Sequence, residues 1–303
     1  MEDFLYGFFK TTGMCTPIVF ANVCGYTQLH SGHLAGLVQF LYIVVLSVIP
    51  ILFAAMRKIA SVILVLLLFA GCSAQKQVAL HLIGDSTCAQ KTEGARPETG
   101  WGEKFNACFD KKVVVKNYAM NGRSTRTFIE EDRWDSVYRA IRKGDYVFIQ
   151  FGHNDEVKEK KSYTTPDEFA ANLRRYVDDT RAKGGYPVLL TPVCRRRFEE
   201  ENFYDTHDKY ASITRQVAKQ SDVLLVDMHT LSMSILVQWG EEESARLFMQ
   251  LAPGEYPNYP NGRDDNTHFN GLGATVMAEA VAKSIVGSAV PLKRRVVKSL
   301  RSK

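Results

Sequence analysis

The chain has 303 residues, 46% of them hydrophobic and 23% charged, a globular balance that excludes an intrinsically disordered protein. Its formal net charge of +5 does not mark a nucleic-acid binder, because Lys293, Arg294, Arg295, Lys298, Arg301 and Lys303 share one acid-free stretch and leave the remainder close to neutral. That stretch, 291–303, reads as a basic, solvated tail.

In chain order, the first element is an apolar run from Leu34 to Ala55, interrupted by Gln39 and Pro50, that could span a bilayer. Met56-Arg57-Lys58 then supplies a basic start, 59–70 an apolar core and "GCSA" small residues for cleavage, the pattern of a bacterial export signal over 56–74. "LFAGC" resembles a lipobox with Cys72 as the lipidated residue, despite the bulky Phe69; cleavage after Ala74 competes with it. Residues 1–55 are then an upstream extension preceding a true start at Met56, or else a membrane anchor. The expected location is the periplasm or cell surface. Cys88, Cys108 and Cys194 remain in the body, so at most one bridge can form there.

From residue 78 short apolar runs alternate with helical patterns. Strands are expected at 78–83, 113–119, 146–151, 187–192 and 223–228, nearly continuous in apolar character as strands covered on both faces are. Helices are expected at 101–109, 133–142, 166–183, 204–220, 231–250 and 273–286. Pro166, Asp167 and Glu168 suit a helix first turn, and Gly184-Gly185 stops that helix. The order implies one three-layer α/β/α domain over 76–290, with a doubly wound, flavodoxin-like sheet of five parallel strands.

Ligands of such sheets bind beyond the carboxyl ends of the strands. Three loops there are polar and glycine-bearing: "GDST" (84–87), "MNGRS" (120–124) and "FGHND" (151–155). Ser86 is a nucleophile if it has a base and oxyanion donors, and otherwise a helix cap. Asp265, three residues before His268 and just ahead of the last helix, could orient that imidazole from the same turn, or the pair could be only a capping turn. Gly122 offers a closely approachable N–H or merely a turn; Asn154 offers an amide donor or an Asx-turn. His81 reads as packed in the sheet, and His207 and His229 as lacking triad-like neighbours. Asp85 and Asp155 read as loop braces, and Cys88 as packing.

Taken together, "GDS", Gly122, "GHND" and Asp265-x-x-His268 resemble the SGNH (GDSL-type) hydrolases in content and order over about residues 78–286. "TGWGEKF" (99–105), "NGRSTRTFIEE" (121–131), "GDYVFIQFGHND" (144–155) and "DNTHF" (265–269) are most similar to the rhamnogalacturonan acetylesterases among them, Thr125 being a conservative departure. The resemblance implies Ser86 as nucleophile, His268 as base, Asp265 as its orienting carboxylate, and an oxyanion hole of the Ser86 and Gly122 N–H groups with the Asn154 amide. It implies no cofactor and no metal, and action on an acetylated polysaccharide or oligosaccharide; a monomer is expected. Arg123, Arg126, His153, Arg195, Arg196 and Arg197 are the expected substrate-binding residues, since arginine suits the carboxylates of galacturonate; alternatively Glu199 and Glu200 merely neutralise "CRRRFEE". Acetylated xylan, a lipase or thioesterase substrate, and carbohydrate binding without turnover are the competing readings.

Overall fold

The computed structural model describes residues 33–70, 77–200 and 202–301, which separate into two compact units divided after Ala74. In the first unit the described residues form one helix, α1 (His33–Ala70), which contains Pro50. Its Gly36–Ser61 segment is long and apolar enough to cross a membrane, and Leu37, Phe40, Ile51 and Phe53 are exposed along it. Cys72 and the cleavage site after Ala74 lie outside the described residues.

The second unit is built on five parallel strands, β1 (Val78–Gly84), β2 (Val113–Asn117), β3 (Tyr146–Gln150), β4 (Tyr186–Leu190) and β7 (Leu224–Val226), in the order β2-β1-β3-β4-β7. All four pairings are parallel, with Leu82 opposite both Asn117 and Phe148. Successive side chains leave opposite faces of a strand, and both faces here are apolar. Leu80, Leu82, Phe148, Val188 and Leu190 pack on one side with Trp101 and Phe105 of α2 (Trp101–Phe105) and Met277, Val281 and Ile285 of α8 (Gly271–Val286). Ile83, Val147, Ile149 and Leu189 pack on the other. Their partners are Phe128 of α3 (Thr125–Glu130), Trp134 of α4 (Arg133–Ala140), Phe169, Leu173 and Tyr176 of α5 (Pro166–Ala182), and Tyr210 of α6 (Asp208–Gln220). The architecture is three layers, α/β/α, as expected.

Three sequence expectations need correction. The helix expected to reach residue 250 is α7 (Met228–Ser244); non-helical backbone at Gly240 (φ 73°) kinks it, and a 3-10 turn over 245–247 leads into β8 (Phe248–Leu251). That strand pairs antiparallel with β9 (Arg263–Phe269), which places Asp265 and His268 in a strand rather than in a turn before α8. A second small hairpin joins β5 (Phe198–Glu199) to β6 (Asn202–Phe203). Last, residues 291–301 are not a solvated tail. Leu292 and Val296 are buried, the Asp110 N–H donates to the Arg295 carbonyl and the Val297 N–H to that of Cys108, because apolar residues alternate with the basic ones. Cys88, Cys108 and Cys194 are free and buried.

Candidate active site

Strand β1 ends at Gly84, where a Cβ would lie 2.5 Å from the Gln150 carbonyl oxygen, so only glycine lets the β1 and β3 loops approach so closely. The next turn is braced from inside. Asp85 Oδ1 accepts from the Thr87 N–H (2.9 Å) and hydroxyl (2.7 Å), while buried Gln150 accepts from Trp101 Nε1 (2.6 Å) and donates to Thr87 Oγ1 (2.7 Å). This leaves Ser86 half-buried at the rim, on a turn whose neighbours are fixed.

His268 reaches Ser86 from the opposite end of the domain. Between the pairs Phe248↔Phe269 and Met249↔Asp265 the ladder skips Asn266, Thr267 and His268, and this bulge turns the imidazole out of the hairpin. Asp265 Oδ1 accepts from the Thr267 (2.8 Å) and His268 (3.0 Å) backbone N–H groups, holding the bulge, and its Oδ2 lies 2.8 Å from His268 Nδ1. Burial alone would raise the Asp265 carboxyl, but His268 and Arg263 outweigh it and hold the group well below the usual carboxylate range. The ionised carboxylate can only accept, so Nδ1 carries the ring proton and Nε2 offers its lone pair to the Ser86 hydroxyl at 2.9 Å. One carboxylate thus both holds the bulge through Oδ1 and faces the imidazole through Oδ2.

Gly122 sits at φ 77° in the exposed β2 loop, which is tied to β1 by the Met120 N–H donating to the Gly84 carbonyl (3.0 Å). Asn154 is buried in the β3 loop, and its Nδ2 donates to the Arg123 carbonyl at 3.1 Å, so one amide hydrogen spans the two loops and the second is left over. Beneath them Asp155 Oδ1 accepts from the N–H (2.9 Å) and hydroxyl (2.6 Å) of Thr125.

Not all expected substrate-binding residues face outward. His153 is 3% exposed and its Nε2 lies 3.0 Å from the Val193 carbonyl oxygen, so it packs beneath the rim. Arg126 donates to the Tyr163 and Lys161 carbonyls and pairs with Glu130, and Arg196 donates to the Glu241 carbonyl and to Asn266 Oδ1; both hold loops together. Arg197 pairs with Glu199 at 2.6 Å over the Tyr204 ring. Arg123 pairs with Glu131 at 3.0 Å, and Arg195 donates to Thr267 Oγ1 at 2.6 Å, next to His268.

Long-range pairing was invisible in the sequence. His207 and His229 do have carboxylate neighbours, Glu156 at 2.8 Å and Asp205 at 2.7 Å. The Cys194, Asp205 and His229 ligand atoms lie within 4.8 Å of one another, yet Arg215 donates to His229 Nδ1 (3.0 Å), which puts the ring proton on Nε2 toward Asp205 and disfavours a cation there. Lys91, Glu98 and Arg263 also converge on the site, although nothing in their local spacing announces it.

This fold, with a Ser-His-Asp chain at the carboxyl ends of its strands, defines the class: an SGNH-type carboxylic ester hydrolase. The chain belongs to the GDSL-like lipase/acylhydrolase family, whose model matches residues 82–276. It is 39% identical over 225 residues to rhamnogalacturonan acetylesterase RhgT of Bacillus subtilis, an alignment covering 74% of this chain and 96% of that protein. With the probable rhamnogalacturonan acetylesterase YesY of the same organism it shares 34% identity over 221 residues, 72% of this chain and 97% of the relative. The crystal structure of YxiM from B. subtilis superposes with a TM-score of 0.60 at 25% identity; the match covers 72% of this chain but only 57% of that one.

Proposed function

We propose that the protein is a serine acetylesterase acting on an acetylated plant cell-wall polysaccharide, most closely rhamnogalacturonan. The observation that carries this is the continuous chain from Ser86 Oγ through His268 to Asp265, 2.9 and 2.8 Å. Ser86 Oγ attacks the acetyl carbonyl carbon as His268 Nε2 takes its proton. The oxyanion of the tetrahedral intermediate is held by the Ser86 and Gly122 N–H groups and by the Asn154 amide hydrogen that Arg123 leaves free. As the intermediate collapses, the bond to the sugar oxygen breaks and His268 returns the proton to it. Water then attacks the acetyl-enzyme by the same steps, releasing acetate and restoring the serine. No step calls for a metal or cofactor.

Two findings support the pectin assignment: the identity to relatives named for that polymer, and the cations of Arg123 and Arg195 beside the site, where galacturonate carboxylates would pass. Arg197 lies further along the β4 loop. Its pair with Glu199 is exposed and weak enough for a carboxylate to displace. The apolar, exposed α1 helix supports export or membrane attachment, with Cys72 the residue a lipid would occupy; 56–74 acts as the signal and 76–290, with the packed 291–301 segment, as the esterase.

The test is hydrolysis of p-nitrophenyl acetate and of acetylated polysaccharides. Ser86→Ala should abolish both, and retained activity would sink the reading. Acetylated rhamnogalacturonan should outperform neutral acetylated xylan, with added salt narrowing the gap. Equal rates would leave a general carbohydrate acetylesterase, and saccharide binding without turnover would make it a binding protein.

A further inference from the structure

Lys91 lies just beyond the Ser86 turn and is 4% exposed, a position where a lysine needs partners for its whole charge. Its Nζ has three: the Ser86 carbonyl at 2.6 Å, Asn121 Oδ1 at 2.8 Å and Glu98 Oε1 at 2.7 Å. One ammonium group therefore ties the serine turn to the loop that carries Gly122. The second oxygen of Glu98 lies 3.9 Å from Arg263 Nη2. Arg263 in turn donates from Nη2 (2.6 Å) and Nε (3.2 Å) to Asp265 Oδ2, the same atom that faces His268 Nδ1. From His268 Nε2 the path returns to Ser86 Oγ.

We propose that Lys91, Glu98 and Arg263 are positioning residues that close this ring of alternating charge around the triad and tune how strongly Asp265 supports His268 as base. The inference rests on the triad reading above. Asp265 Oδ2 divides its charge between His268 and Arg263, so it stabilises an imidazolium less than a carboxylate devoted to the histidine would. Arg263 therefore tempers the support that Asp265 gives His268. Glu98, placed between two cations, moderates that effect. Lys91 acts at the other end, fixing the Ser86 carbonyl and the Gly122 loop in register.

Other titratable groups surround the site: Asp85 under the serine turn and His153 beneath the rim face His268, and His207, Glu156 and Arg195 lie behind His153. Arg195 is held by Glu156 and Thr267, and Asp264 accepts from Gln250 on β8. None of these is paired with Lys91, Glu98 or Arg263, and the Tyr259 ring lies against Arg263.

The experiment is the pH profile of kcat/KM for p-nitrophenyl acetate with the full chain. Arg263→Met should move the acid limb upward by about one pH unit, and Arg263→Lys should return it most of the way. Glu98→Gln should move it downward. Lys91→Met should lower kcat about tenfold at unchanged KM, since it disturbs geometry and not substrate affinity. Limbs that stay in place, or that move in the same direction in Arg263→Met and Glu98→Gln, overturn the proposal, as does a Lys91→Met change confined to KM. If Arg263→Met does not fold, the direction of Glu98→Gln decides. Activity surviving in Ser86→Ala would instead remove the triad itself, an outcome read independently of the limbs.

Discussion

On the proposed chemistry single atoms carry most of the work, and Asn154 is the sharpest case. One of its amide hydrogens is already given to the Arg123 carbonyl, so the side chain is oriented before substrate arrives. Asn154→Ala should lower kcat by roughly 10² to 10³; a loss of a few-fold would make it a loop tie only. Replacing His268 should remove nearly all turnover, whereas Asp265→Ala, which leaves the base in place, should retain more; equal losses would mean that the carboxylate does more than orient. Asp155 offers a separate test, of stability. Burial pushes its carboxyl up to about 7, although hydrogen bonds from Thr125 pull the other way. A folded value above the unfolded one, near ~4 for aspartate, means a contribution that is full below ~4 and lost as pH rises through about 7. The melting temperature of Asp155→Asn should therefore gain on that of the native protein across this window. A difference that does not change with pH would contradict the assignment.

Elements differed in how plainly they announced themselves. The five parallel strands were legible because burial on both faces demands unbroken apolar runs, and "YVFIQ" or "VLL" leaves little else to form. The β8–β9 hairpin was not. "FMQL" continues the apolar pattern of α7, and "RDDNTHF" has no alternation and a single β-branched residue, Thr267, because the bulge interrupts its ladder. The short α3 was missed for a similar reason, its cap Ser124 lying inside a stretch read as loop. Ser86, His268 and Asp265, the proposed triad, stand in recognisable blocks; Lys91, Glu98 and Arg263 do not, because each finds its partners only after folding. The docking of α8 is equally unforgiving. A Cβ at Gly273 would come 2.0 Å from the Leu247 carbonyl, so Gly273→Ala should destabilise by about 1–3 kcal/mol and pull the hairpin from the site. An unchanged denaturation midpoint would show that α8 can slide.

At the scale of the molecule, the last segment belongs to the body. Leu292 and Val296 are 2% and 0% exposed, and each buried aliphatic side chain is worth about 1.5–3 kcal/mol. A chain ending at residue 290 should melt well below the native protein. Unchanged melting would return 291–301 to the solvent. The domain's order of synthesis has a consequence of its own. Ser86, Gly122 and Asn154 all precede the hairpin that brings His268, 182 residues after the serine. A growing chain can complete all five sheet strands while still lacking anything to take the serine's proton. On the proposed chemistry, a truncated product would hold the nucleophile in place yet remain inert, so hydrolysis begins only when the final stretch has been made and threaded back beside the first strand.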